Sequence, residues 1–464
     1  MKDIENQQSI KDFENSAFGK FYKKKQLKEQ ELTYLNNKAL DLVNEEDLFE
    51  IMSLIPQPFV VNEKDPNLDA LSLIYNKFLE NTEIPLALPI FSFFSFLSAY
   101  CVKSNITHTV PLSIDKAPLD TWITILAPSG SAKTFSNSQI KKVIPKDLEG
   151  NKLIEQNFIK PNGPAKFIEE LSNLPLTKDG ESQWGFWIED EVSQMFKQVE
   201  QVGSPLSEIK EYLLKSYDHE KLTRKSKKEN VETKNIILTL LFINTFESYV
   251  NNISQESMTD GLMRRFNLIY TEKDPSRDFT DFALYDISKI RDETLEDKMT
   301  ELFFSIKPDV NYTFSDDCFS LYLKYFKIFW HRKYKNVLGS EKENFYRTYM
   351  MQSWKFAVFY HLILKREGSE IQADCMIYGM KISLLFANSM KKFFDFKTSK
   401  ILDKKKEKIK SDLEKYMSYL KENENIKNRD FCRKFNIKKS ESISILRSLK
   451  CAGFKHNLID ELKE

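Results

Sequence analysis

The sequence predicts an α/β fold: a parallel sheet with flanking helices, then a helical region and a small basic C-terminal unit. Three observations predict it. Between about residues 119 and 275, the β-type runs Trp122–Leu126, Trp184–Ile188, Ile236–Ile243 and Phe266–Tyr270 alternate with helical stretches, the order that builds parallel sheets covered by helices. The run I-I-L-T-L-L-F-I-N-T, Ile236 to Thr245, is almost continuously apolar, as a central strand buried on both faces must be. Beyond about residue 290 the pattern is helical and aromatic, in Cys318–Tyr334, Phe345–Leu364 and Ile377–Phe394.

Taken in order, residues 1 to about 65 are rich in Lys, Glu, Asn and Gln and end at Pro56 and Pro58; they read as solvated helices or partial disorder. Residues 66 to about 112 read as two helices. The second, Ile84 to Val102, carries no charge and is long enough to span a bilayer. Pro85, Pro89 and the helically spaced Ser92, Ser95 and Ser98 argue instead for a buried helix beside the α/β domain, with no membrane partner. The N-terminus is polar and carries no signal peptide. Five scattered cysteines, none in a C-x-x-C pair, read as reduced thiols and point to the cytoplasm rather than to a disulfide framework or zinc site. Across 464 residues, 69 basic and 68 acidic side chains leave a net charge of +1. That excludes a globally basic nucleic-acid coat but not local basic patches.

The chemistry lies at the ends of the strands. The first leads into W-I-T-I-L-A-P-S-G-S-A-K-T, Trp122 to Thr134: apolar strand, small-residue loop, Lys-Thr and helix, the context of a phosphate-binding loop. Residues Pro128, Ser129, Gly130, Ser131 and Ala132 would turn backbone N–H groups onto phosphates. Lys133 would neutralise their charge, and the Thr134 hydroxyl would ligate Mg²⁺. Ala127 and Ala132 stand where the strict pattern has glycine. The second strand ends F-W-I-E-D-E, so Asp190 would join Thr134 at the metal and Glu191 would activate water; an acidic strand end facing solvent is the plainer reading. Strand alternation puts Glu189 and Glu191 on one face and Asp190 on the other, so these roles could slip by one residue. The third strand ends in Asn244, where ligands bind in open α/β sheets, though an Asn capping the next helix reads equally well. Before the fourth, Arg264 and Arg265 suit a finger that supplies positive charge to a transition state, or a surface pair bonded to Asp260 or Glu256.

Together and in this order, the four pieces resemble AAA+ ATPases of the mini-chromosome-maintenance helicase class. They are still more similar to the phage-, plasmid- and island-borne primase/helicase-associated ATPases. The resemblance covers roughly residues 56 to 395 and includes the A-P-x-G opening of the loop, Ala127 to Gly130. It implies an AAA+ core with a helical lid, ATP and Mg²⁺ as cofactors, and a homo-oligomeric ring, a hexamer. Ala132 is tolerated in that family, Asn244 falls at the first sensor position, and Arg265 at the finger position, acting on a neighbouring subunit. Lys355, with Arg347 as rival, falls near the basic residue that a lid helix offers to the nucleotide. A DNA-gripping pore hairpin would lie at L-T-R-K-S-K-K-E-N-V, with Arg224, Lys225, Lys227 and Lys228 on phosphates; a solvated basic turn is the alternative.

Residues 401–464 hold 17 basic and 11 acidic side chains, about +6 in a chain of +1. Their pattern reads as helix, short turn, helix, with a core of Phe431, Phe435, Ile437, Ile443, Ile445 or Leu446, and Leu449, and Gly453 ending the second helix. It resembles a winged-helix domain whose recognition helix, Lys438 to Arg447, would present Lys439 and Arg447 to DNA; such folds also dock proteins. The expected organisation is a charged segment at 1–65, a nucleotide-binding α/β domain at 66–285, a helical lid at 286–400 and the winged-helix-like unit at 401–464. The expected function is an ATP-hydrolysing motor on single-stranded or forked DNA, a helicase or replication-initiation ATPase of a mobile element, with a primase or initiator as possible partner. The alternatives are a DNA-tethered scaffold or loader with little ATPase activity, and an ATP-driven protein remodeller.

Overall fold

The structure is a computed structural model that describes residues 69–160, 163–201, 203–204, 206–225, 230–253, 261–277, 285–329 and 341–460. The expected charged segment at 1–65 lies outside these residues. In chain order the elements are α1 (Ala70–Asn81), α2 (Ala87–Lys103), β1 (Thr107–His108), β2 (Ala117–Pro118), β3 (Trp122–Ala127), α3 (Lys133–Val143), α4 (Pro164–Ser172), β4 (Ser182–Asp190), α5 (Ser193–Glu200), α6 (Ser207–Tyr217), β5 (Lys221–Lys225), β6 (Asn230–Thr245), α7 (Phe246–Asn252) and β7 (Asn267–Tyr270). They continue with α8 (Ile287–Ile290), α9 (Glu293–Ser305), β8 (Asn311–Phe314), α10 (Asp316–Phe329), α11 (Glu341–Ile363), β9 (Glu370–Ile371), α12 (Ala373–Glu422), α13 (Asn428–Phe435), α14 (Lys439–Cys451) and α15 (Asn457–Asp460). The chain divides into two compact units between Lys391 and Lys392, within α12.

The first unit is mixed α/β. Its main sheet has the order β4-β6-β3-β7, all parallel, with β5 paired antiparallel to β6. The four expected strand runs are these four parallel strands, and the apolar Ile236–Thr245 run is one of the two inner ones, buried from Thr239 to Asn244. One face of the sheet carries α2, through Phe96 against Phe186 at 5.0 Å and Ser98 Oγ beside Thr239 Oγ1 at 3.3 Å. On the other face Trp187, Phe242, Phe196 and Phe266 form a continuous aromatic layer with centroid separations of 5.0, 5.8 and 5.5 Å.

Helix α2 has no polar side because it has no solvent side. While Phe96 meets the sheet, Phe91 and Phe94 meet Phe356 and Phe386 of α11 and α12, with Phe94 and Phe356 5.1 Å apart. A helix apolar all round is a core helix or a membrane span; this one is core, and no described helix is long and apolar enough to cross a membrane. The serines fit the same picture: Ser95 Oγ donates to Phe91 O and Ser98 Oγ to Leu119 O, both at 2.8 Å. Helix α12 comes close enough to α11 that a Cβ on Gly379 would collide with the Ser353 carbonyl, so any other residue there would force the helices apart.

A second, four-stranded sheet of order β2-β1-β8-β9 was not foreseen. Three of its strands have two residues each, too short for period-two alternation to register. It buries His108, which packs on Phe314 at 6.3 Å and whose Nδ1 has no partner among the described residues. Burial, reinforced by the Lys355 ammonium, lowers the His108 pKa to about 3. Its neutral form therefore stabilises the fold fully above the unfolded value of about 6.5, and that contribution is lost as pH falls from there toward the folded value. At pH 5 the loss is about 2 kcal/mol. Urea unfolding at pH 7.5 and 5.0 should show this drop in wild type and a smaller one in His108→Gln; equal drops would contradict it.

The second unit, described by itself, is helical. Its core is Leu420, Phe431, Leu446, Leu449, Leu458 and Ile459, with Phe435, Ile437 and Ile445 partly buried against it; of the two open candidates Leu446 takes the central place. Helices α13 and α14 form a helix-turn-helix. Asn436, at φ 52°, makes the turn, and Glu441 Oε2 accepts from Lys438 N at 2.9 Å at the start of α14. The helix ends where Gly453, at φ 79°, turns Phe454 N onto Leu449 O. No strand, and so no β-wing, occurs among the described residues of this unit. The lysine-rich segment from Lys400 to Lys410 is part of α12, as a run of good helix formers without Gly or Pro allows.

Candidate phosphate-binding site

The site is built where β3, β6 and β4 end side by side. Strand β3 stops at Ala127, which pairs with Thr245; this first glycine position of the strict pattern is ordinary buried strand and needs no glycine. The turn follows. Gly130 sits at φ 71° and Ala132 at φ 50°, ψ 38°, both left-handed. An L-residue there costs about 1–2 kcal/mol relative to a right-handed one, which is why glycine is the common choice at the second position and why Ala132 is strained. Ser131 is buried, and its Oγ donates to Pro128 O at 2.7 Å, closing the loop on itself. Helix α3 then begins at Lys133, its first backbone N–H groups facing the loop without an intrahelical partner.

Asp190 ends β4, and Thr134 Oγ1 donates to its Oδ2 at 2.9 Å. Both side chains are exposed. The sheet order places β6 between the loop-bearing and acid-bearing strands, and on it Asn244 pairs with Leu126 of β3, while Asp190 pairs with the preceding Ile243. Asn244 is fully buried. Its Oδ1 accepts from Ser193 N at 3.0 Å, and its Nδ2 has no partner among the described residues. An amide held by its oxygen leaves two donors open at the strand end.

The register is settled by the contacts on each face. Glu189 Oε2 accepts from Trp187 Nε1 at 3.1 Å, so this extra carboxylate is occupied on the face opposite Phe186. Asp190 turns to Thr134. Glu191 escapes the alternation because its own φ is +58°; its N–H donates to Ile243 O at 2.8 Å and its side chain is exposed.

The remaining candidates are placed elsewhere. Lys355 is corrected: its Nζ donates to Asp120 Oδ1 at 2.8 Å and Asp120 O at 2.7 Å. Asp120 precedes β3, at the end of the strand away from the loop, roughly 20 Å off at 3.3 Å per residue, so Lys355 is a half-buried strut on a buried carboxylate and does not reach this chain's loop. Its rival Arg347 is exposed, 3.7 Å from Glu343. Arg265 lies on the same edge, in the short turn before β7. It donates to Asp218 Oδ2 at 2.8 Å and Gly261 O at 2.9 Å and lies 5.1 Å from the Tyr217 ring. Its role as an offered finger therefore requires the Asp218 bond to open. Strands β5 and β6 form the expected hairpin on that edge, where Arg224 leans back toward Glu208 at 3.6 Å. Lys227, Lys228 and the side chain of Lys225 lie outside the described residues. In the second unit Lys439 and Arg447 are both exposed on α14.

Two features escaped the sequence. Asp120, buried among Lys355 and His219, has no local pattern that marks it. Lys273, just beyond β7, brings its Nζ to the loop, 3.9 Å from where a Cβ on Gly130 would stand; no motif distinguishes T-E-K-D-P from an ordinary turn. In comparisons with known proteins, no family model matches the chain and no curated protein matches it.

Proposed function

We propose that the chain is an Mg²⁺-dependent, ATP-hydrolysing motor of AAA+ type that works on DNA as a ring, a helicase or replication-initiation ATPase of a mobile element. One observation carries the reading: the Thr134 hydroxyl and the Asp190 carboxylate meet at 2.9 Å at the strand ends, and on the strand between them the Asn244 amide nitrogen has no partner among the described residues. A hydroxyl and one carboxylate fit Mg²⁺, which keeps waters and takes substrate phosphate oxygens rather than a full protein cage. Among the described residues there is no cluster of three or more His, Cys, Asp or Glu to provide such a cage. Bound there, Mg²⁺ would neutralise charge on the phosphate oxygens.

The chain's own residues supply the rest. Lys133 and the N–H groups of the loop and of the first turn of α3 hold the phosphates. Asn244 Nδ2 donates toward the attacking water or the terminal phosphate. Glu191 takes a proton from water as its oxygen bonds to the γ-phosphorus and the bond to ADP breaks. Arg265 stands on the edge away from its own loop, which suits a finger serving a neighbouring subunit. The basic hairpin and helix α14 would grip DNA phosphates.

The Arg265–Asp218 ion pair favours a second reading, a nucleotide-binding scaffold on DNA whose finger is withheld. Steady-state ATPase assays with and without single-stranded DNA separate the readings. The motor is expected to turn over several-fold faster with DNA, and charge reversal at Lys227 and Lys228 should remove the stimulation. Turnover indifferent to both would point to remodelling of protein partners; absent turnover would leave the scaffold.

A further inference from the structure

We propose that Lys273 is a second phosphate-binding cation of this site, acting within the same subunit as Lys133; the inference rests on the nucleotide-binding reading above. Its Nζ lies 3.9 Å from the position a Gly130 Cβ would take, at the apex of the loop. Glycine at that apex does two things: it permits φ 71° and leaves open the space into which the ammonium leans. Lysine on an exposed connector would ordinarily sample many rotamers, but this connector is held at both ends. On one side Thr271 N donates to Leu126 O at 2.9 Å, tying the chain to the loop-bearing strand two residues before Lys273. On the other, Asp274 Oδ1 accepts from Ser276 N at 2.9 Å and Ser276 Oγ at 2.7 Å. Arg277 then anchors the turn, donating to Phe78 O at 2.9 Å, Ile84 O at 3.1 Å and Thr82 O. No ion pair engages Lys273 among the described residues. A tethered backbone, an ammonium with no ion pair among the described residues and a loop of open N–H groups lie side by side, and the ligand that satisfies them together is a polyphosphate.

The chemistry also predicts where the contact falls. Lys133 begins α3 and Lys273 follows β7, so the two ammonium groups would reach the phosphate chain from different elements. Removing one should weaken every nucleotide that carries a di- or triphosphate and leave the uncharged nucleoside alone.

The experiment is titration of the full chain with a fluorescent ATP analogue, displaced by ATP, ADP or adenosine, for wild type, Lys273→Met, Lys273→Arg and Lys133→Ala. We expect Lys273→Met to weaken ATP and ADP about tenfold, as loss of a charge-assisted hydrogen bond does, with adenosine unchanged and Lys273→Arg retaining most of the affinity. An unshifted melting temperature without nucleotide would show that the fold is intact. Unchanged ATP affinity in Lys273→Met beside a weakened Lys133→Ala would overturn the inference and leave the nucleotide site standing. Equal weakening of adenosine would overturn the phosphate assignment. Failure of wild type to bind the analogue would remove the nucleotide reading and the inference with it.

Discussion

Lys355→Met is expected to destabilise the first unit by about 3–5 kcal/mol, the cost of stranding one member of a buried ion pair. Asp120 is 2% exposed and receives the Lys355 ammonium on its carboxylate at 2.8 Å and on its backbone carbonyl at 2.7 Å. Burial pushes the Asp120 carboxyl up, but the Lys355 and His219 charges together outweigh it and hold the group below the usual carboxylate range. It is therefore ionised at neutral pH. Methionine fills the space of the lysine stem but supplies no charge, so the carboxylate would remain buried beside only His219, 3.3 Å away. Adding Asp120→Asn should recover part of the loss, because the amide needs no counter-charge. Urea unfolding of the single and double variants checks both statements. Equal stability of Lys355→Met and wild type would mean that the pair carries no weight.

A second large effect should appear with little change in stability. Asp190→Asn is expected to lower ATP turnover by 100-fold or more, since a carboxylate that organises charge at a phosphoryl-transfer site is worth several kcal/mol of barrier. The residue is exposed at a strand end, and its hydrogen bond from Thr134 can still be accepted by the amide oxygen of asparagine. The fold should then melt within about a degree of wild type, as exposed substitutions do. Turnover and melting temperature of the same preparation test this; a variant that keeps full turnover would remove Asp190 from the chemistry.

The legible parts of this protein are those where one physical signal dominates. The continuous apolar run ending at Asn244 and the shorter runs before Thr134 and after Arg265 announced a parallel sheet, and the sheet is there. Thr134 and Asp190, 56 residues apart, were paired by the type of chemistry they could share, and they touch. The amphipathic repeat of the C-terminal helices named Phe431, Leu446 or its neighbour, and Leu449 as core.

What the sequence hid has equally physical causes. Lys355 reads as a nucleotide ligand by its position along the chain alone, whereas its partner Asp120 lies 235 residues away in sequence and is brought to it only by the fold. Three of the small sheet's four strands have only two residues, below the length at which alternation is visible. The doubt over Glu189, Asp190 and Glu191 assumed that strand alternation continues; the left-handed Glu191 ends it, and no residue type announces that turn. Lys273 is close to Gly130 only because β7 lies beside β3.

On the proposed function, the loop from Ala127 to Thr134 is a working ATPase site despite its two alanines. The most direct measurement is Mg²⁺-dependent phosphate release from ATP by the purified full chain, wild type against Lys133→Ala. Wild type is expected to turn over steadily and the variant to lose at least about 100-fold. No turnover in wild type, or the same turnover in both proteins, would contradict it.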